Sequence, residues 1–247
     1  MWLVARYLPV APFSLKPAAA TSSGGKTLLA VTPYAVKMAL LDVAIRTLGV
    51  TEGERLFPLL RDLSISLELP NDLVVMKGFS KIQRPLKDKG NEEKAQEAQE
   101  RGHWPMQPTI AYREYVYLRD VFQLAFAPPK GAELPPELSQ LLLSINYLGK
   151  RGGFVQIMEQ PVFVEQLPGE RFVDLTQDEL SAFHTEGTLQ MLDDCAKTLT
   201  FARANIYSSE RISLGKERVL RHIVLPYRLL RSSRSYSWYQ YIRENEE

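Results

Sequence analysis

The chain has one cysteine, Cys195, among its 247 residues. An internal disulfide is therefore excluded, as is any cysteine-built metal cage, and a reducing compartment such as the cytoplasm suits it. Histidine is scarce as well. His103, His184 and His222 stand far apart, with no HExxH or paired spacing, so no metal site and no cofactor is expected. Asp193-Asp194 has no second acidic cluster beside it and reads as a turn or a cap. The chain also lacks an excess of either charge. Its 30 lysines and arginines face 29 aspartates and glutamates, for a formal net charge of +1. Binding of nucleic acid through bulk charge is thereby excluded, and any basic surface must be local. No apolar run approaches the roughly 20 residues of a membrane span. The opening MWLVARYLPVAPFSL lacks the basic start and long apolar stretch of a signal peptide, and no membrane partner is expected. No internal repeat is present.

Aliphatic residues are nearly missing from residues 84–108, where KDKGNEEKAQEAQERGHWPMQP is polar and dense in charge. Such a segment cannot build a core, and it is expected to hang outside the fold as an insertion, with residues 91–101 able to form a solvated helix.

What is present reads as alternating strands and helices. Residues 2–10 form a buried strand closed by Pro9 and Pro12. Residues 17–26 are a small-residue loop. Thr32-Pro33 is a helix start, a Thr cap with Pro at the first helical position, and Gly49 stops the helix after Leu48. A second helix is expected over residues 51–61 and strands over 63–69 and 73–82. Residues 109–127 read as one long strand. One of its faces carries Val116, Leu118, Phe122 and Phe126, and the other carries Arg113, Tyr115, Tyr117 and Arg119. A helix over 135–148, a strand over 154–165, a helical turn at 180–183, and strands over 197–207 and 223–230 complete the reading. The order is strand, helix, strands, strand, helix, strand. This predicts an α+β, ferredoxin-like β-α-β-β-α-β half over residues 1–165, with a smaller β-rich part over 166–247.

Four motifs bear on function. In LLLSINYLGKRGGFVQI, Gly149 is placed to cap the helix ending there, and Lys150, Arg151, Gly152 and Gly153 follow at once, before Phe154. Glycines let a backbone approach a ligand closely, and N–H groups beside two cations suit a phosphate, although a plain connection with two solvated charges has the same spelling. SSGGKT over residues 22–27 resembles the end of a P-loop. Ala20 stands where that motif needs glycine, and no helix begins at Lys26-Thr27, so Lys26 is expected to meet a phosphodiester rather than a nucleotide. Tyr115 and Arg113 are placed either to stack bases and pair phosphates or to form an ordinary solvent face. Arginines 218, 221, 228, 231 and 234, interleaved with Tyr227, Tyr236, Trp238 and Tyr239, suit RNA or a partner protein.

These parts, in this order, resemble the RAMP superfamily of CRISPR proteins, and within it the Cas-five family of type I Cascade effectors. The resemblance rests on SGGKTLLAVTPYAVKMALLDVAIRTLG, on REYVYLRDVFQLAF after a polar insertion, on GKRGGF, and on LDDCAKTLTFARANIYS. It implies an RRM-like half whose insertion is a thumb or its tip. It implies a protein without catalytic activity that holds the 5′ handle of the crRNA. Its partners would be the adjacent backbone subunit and the large subunit, with target DNA reached through the complex. Lys26, Lys37, Lys81, Arg84, Arg113, Tyr115, Lys150, Arg151, Gly152, Gly153 and Phe154 are the expected RNA-binding residues. Members of one subtype cleave the repeat RNA themselves. The alternative is therefore a metal-independent endoribonuclease, for which His103 and His222 are the candidate bases.

Overall fold

Thr32 opens the first helix as its spelling requires. Its hydroxyl accepts a hydrogen bond from the Ala35 N–H at 3.1 Å, and Pro33 takes the first helical position. This helix, α1 (Pro33–Leu48), ends where the Gly49 N–H donates to Ile45 O at a φ of 96°. It is apolar on most sides and largely buried. A second helix, α2 (Val50–Asp62), follows at once and buries Gly53, Leu56, Phe57 and Leu60. A side-chain carbon at Gly53 would lie 2.6 Å from Ile45 Cγ1, so glycine is what lets the two helices close on one another. The computed structural model describes residues 1–18, 25–85, 92–102, 106–150, 152–176, 186–205 and 209–243, without the side chains of Pro85 and Gln107.

The protein is a mixed α/β structure whose sheets are antiparallel and whose helices are few. The main sheet contains β1 (Trp2–Pro9), β2 (Ser64–Glu68), β5 (Phe122–Ala127), β6 (Val155–Ile157), β7 (Val162–Val164) and β8 (Val173–Asp174). Its order is β6-β1-β5-β2-β8, and β7 also pairs with β1. The register sets Leu3, Ala5 and Tyr7 opposite Phe126, Leu124 and Phe122, so one face is a continuous apolar surface. The Tyr7 hydroxyl on that face donates to Leu142 O at 2.8 Å, tying the sheet to the short helix α4 (Leu138–Leu143).

A second sheet has the order β11-β12-β3-β4, from β3 (Asp72–Pro85), β4 (Met106–Leu118), β11 (Tyr227–Ser232) and β12 (Tyr236–Tyr241). Strands β3 and β4 pair from Leu73↔Leu118 outward to Pro85↔Met106, a hairpin far longer than the core needs. Helix α3 (Glu92–Glu100) lies between those strands in sequence. Strands β9 (Thr188–Cys195) and β10 (Arg218–Leu225) form a two-stranded ribbon, and α5 (Phe201–Ala204) is a single turn capped by Thr200. One buried cluster joins the apolar face of the main sheet, α1, the root of the hairpin at Leu73, Val75, Val116 and Leu118, and the ribbon through Leu192, Ile223 and Leu225.

Several expected elements are corrected. The strand expected over 109–127 is two strands in two different sheets, because Arg119, Asp120 and Val121 turn the chain between them. The insertion over 84–108 is not among these: its described residues form the outer end of the β3–β4 hairpin and the helix Glu92–Glu100, which is exposed along most of its length, the solvated helix expected within 91–101, with Ala98 alone buried. The helix over 135–148 shortens to Leu138–Leu143, since the chain from Ser144 onward turns into strand-like pairing. The strand over 154–165 splits into β6 and β7, and that over 223–230 divides between β10 and β11 at Pro226. Residues 197–207 hold the helical turn α5 in place of a strand. The turn expected at 180–183 lies outside the described residues.

Candidate nucleic-acid interface

The chain around Phe13 and Leu15 joins three of the motifs. On one side Phe13 pairs with Val116 of β4, with N–H···O distances of 3.0 and 2.7 Å. Leu15 then meets the chain after the Gly-Lys pair. Its N–H donates to Thr27 Oγ1 at 3.0 Å, and Leu28 N–H donates to Leu15 O at 2.8 Å. On the other side the same two residues carry the glycine loop. A side-chain carbon on Gly153 would stand 3.6 Å from Phe13 Cβ, and one on Gly149 would stand 2.1 Å from Leu15 Cδ2.

The glycine loop is a tight reversal between Tyr147 and Phe154, which form a bridge. Leu148 N–H donates to Gly153 O at 3.0 Å and Gly153 N–H donates to Lys150 O at 3.1 Å. Gly149, expected as a helix cap, has instead a φ of 77° within this reversal, because α4 has already ended at Leu143. Gly152 has a φ of 110°, a conformation that side chains with a Cβ resist. Lys150 and Gly152 are exposed, Phe154 is half exposed, and Gly153 is buried against Leu148 O. Arg151 lies outside the described residues.

Gly25 is buried and packs directly on β4. A side-chain carbon there would lie 2.2 Å from Tyr112 O, and Glu114 N–H donates to Gly25 O at 2.9 Å. Beneath it, the buried Glu114 carboxylate accepts from Thr27 N–H at 3.1 Å and from the Tyr112 hydroxyl at 3.2 Å. Burial, then the Glu114 charge, raises the Tyr112 hydroxyl above the ordinary tyrosine range, so it remains a donor. Lys26 is thus held exposed at the edge of β4 by a glycine whose role is close packing.

Arg113 and Tyr115 point to the opposite face of the hairpin from Glu114, since successive strand residues alternate. Arg84 shares their face, and Lys81, paired with Ile110, belongs to the other. Lys37 leaves the candidate set. It is buried, and its ammonium lies 2.7 Å from the buried Asp194 carboxylate, so no phosphate reaches it. Asp193 and Asp194 are likewise corrected from turn residues to buried members of β9, held by Arg218 and by Arg221 respectively. His222 is exposed on β10 opposite Met191, and His103 and His184 lie outside the described residues.

The structure therefore gathers Lys26 and Lys150 around the Phe13–Leu15 segment, with the Arg113 backbone alongside. Lys16, exposed next to Leu15, joins them. Sequence reasoning missed it because a lone lysine after FSL carries no motif. Its position follows only from the pairing of Leu15. Exposed glycine backbone at Gly149 and Gly152, with exposed lysines on the adjoining segments, can hold phosphate oxygens. Among the described residues, no group of histidine, cysteine or carboxylate side chains gathers that could hold a metal ion. No described helix is long and apolar enough to cross a membrane.

No protein-family model and no curated protein matches the chain by sequence. Solved structures similar to it include the crystal structure of a CRISPR protein from Archaeoglobus fulgidus. That protein is 12% identical, with 98% of this chain and 92% of that one covered and a TM-score of 0.49. A second is a chain of a CRISPR RNA-guided surveillance complex, 14% identical, with 91% of each chain covered and a TM-score of 0.47.

Proposed function

We propose that this protein is a crRNA-binding subunit of a type I CRISPR effector complex, holding the 5′ handle of the guide next to a backbone subunit and the large subunit. The observation that carries the reading is the convergence of Gly25-Lys26 and the loop over residues 149–154 on one short segment, Phe13 to Lys16. Motifs more than a hundred residues apart in sequence thereby bring the exposed Lys26 and Lys150, with the exposed Gly149 and Gly152, to one segment beside the hairpin. The family resemblance of the sequence supplies the RNA. The pairing β6-β1-β5-β2, with α1 and α2 between β1 and β2 and α4 between β5 and β6, supports reading this half as ferredoxin-like. In that reading the β3–β4 hairpin is the thumb. The role is binding: phosphate contacts hold a single strand of fixed sequence, and target DNA is met through the assembled complex.

The test mixes the purified chain, without added metal, with RNA containing the repeat of its own CRISPR array and maps protection along the strand. Protection confined to the handle, with no new RNA ends, is expected. Uniform or absent protection contradicts the reading. Cleavage at one position that His222→Ala abolishes replaces it with the endoribonuclease.

A further inference from the structure

Two stretches that look unrelated in sequence meet on the second sheet. Strand β12 pairs with β3, which pairs with β4, and residues directly opposite one another share a face. Trp238, Val74 and Tyr117 therefore form one row across three strands, and Tyr236, Met76 and Tyr115 form the next. The aromatic residues stand on the outer two strands and the aliphatic ones on the middle strand. Two strand spacings separate the rows' ends, about 9–10 Å, and neighbouring rows lie about 6.5–7 Å apart. The result is a trough with aromatic walls and an aliphatic floor. It faces away from the core, which is filled by Leu73, Val75, Val116 and Leu118 of the alternate face. Tyr117 is 47% exposed and Met76 38%, values that no covered sheet face allows.

Cations stand at two sides of this trough. Arg113 lies one row beyond Tyr115, opposite Gly78, where the space above the glycine is open. Arg231 is paired with Trp238. The indole N–H donates to the Asp72 carboxylate at 2.8 Å, which fixes the ring before any ligand arrives and reduces the entropy lost on binding. An apolar peptide would use the walls and floor and leave the arginines unanswered. A polyanion with flat apolar rings uses both.

We propose that this face is a stacking platform for unpaired bases of a single-stranded nucleic acid, with Tyr115, Tyr117, Tyr236 and Trp238 receiving bases and Arg113 and Arg231 meeting the phosphates. The proposal deepens the reading above and rests on it, because it adds a base-stacking surface to a phosphate-binding one. Aromatic faces accept any base, so the platform grips without reading sequence.

The experiment titrates the full chain with fluorescein-labelled oligouridine, with a base-free ribose-phosphate strand of equal length, and with the deoxy form of the oligouridine. The parent binds the base-bearing strand on the order of tenfold or more tighter than the base-free strand. Tyr117→Leu with Trp238→Leu removes that preference, and Tyr117→Phe with Trp238→Phe, which keeps both rings, retains it. If the Leu pair does not fold by circular dichroism, Tyr115→Leu with Tyr117→Leu replaces it, with the same expectation. Base preference in both sugar series supports the platform, and the tighter series names its natural strand. Equal binding of base-bearing and base-free strands by the parent overturns the platform while leaving the phosphate surface standing, and assigns the face to a protein partner. An unchanged preference in the Leu pair overturns it too. Absence of RNA binding in the parent overturns both readings.

Discussion

Strands β4 and β5 are consecutive, separated by three residues, and similar in spelling, yet they do opposite work. Strand β5 is bonded on both sides, to β1 and β2, and its Leu124, Ala125 and Phe126 are fully buried. Strand β4 is bonded along its whole length to β3, and on its other edge it meets Phe13 and Gly25. Its inner third is core, while Ile110 is 67% exposed. The difference lies in the partners and not in the strands. A strand in the centre of a sheet carries stability, and one that leaves the core on a hairpin carries surface.

The largest effect that sharpens this comparison is at β5. Phe126→Ala is expected to cost about 3–5 kcal/mol in denaturant unfolding, as a large buried ring is lost from a site that cannot collapse. Tyr117→Ala on β4 should cost under about 1 kcal/mol. Equal costs would break the distinction.

The same contrast applies to two lysines. Lys37→Ala leaves the Asp194 carboxylate buried with Arg221 as its remaining ion-pair partner among the described residues, 3.0 Å away. It should cost about 3 kcal/mol or somewhat more. Lys26→Ala, on an exposed lysine, should change stability by no more than about 0.5 kcal/mol. Gly153→Ala comes next. Its new carbon meets Leu148 O at 2.7 Å, a backbone atom that cannot step aside alone. A loss of about 1–3 kcal/mol is expected by thermal unfolding, and a silent change would show that the reversal is loose.

The smallest effect is a pH dependence. Burial, the first cause, raises the Cys195 thiol from its ordinary 9.0 to about 12. Above pH 9 the unfolded chain releases this proton and the folded chain does not, so unfolding is favoured as pH rises. The contribution is intact below that value and is lost progressively up to about pH 12. Between pH 8 and 10 the loss should be on the order of 1 kcal/mol greater in the parent than in Cys195→Ala. Identical pH profiles would mean that the thiol is not shielded when folded.

Local signals in the sequence were legible where one residue settles the matter. Thr32-Pro33 and Gly49 fixed the ends of α1, and β1 and β2 lay within a residue of their expected places, while β3 ran on to Pro85, three residues past its expected end. Pairing was not legible. Nothing in REYVYLRDVFQLAF says that its two halves join different sheets, because alternation is identical in both and the distinction belongs to strands far away. Lys37 misled for the same reason. A lone lysine on an apolar helix invites a ligand, and its buried partner, Asp194, lies 157 positions on. The glycine loop was spelled out, but its floor, Phe13 and Leu15, was not. Tyr236 and Trp238 were visible as aromatic residues near arginines, and only the pairing of β12 with β3 sets them across from Tyr115 and Tyr117.

The central claim is that the surface around Phe13–Lys16 holds RNA phosphates. Its most direct test is the salt dependence of RNA binding by Lys16→Ala/Lys26→Ala/Lys150→Ala beside the parent, with melting curves for both. The account predicts matching melting curves, weaker binding, and a slope against log salt that falls by roughly 0.7 for each phosphate of the single strand that is no longer neutralised. A triple variant that binds handle RNA with the parent's affinity and slope would contradict it.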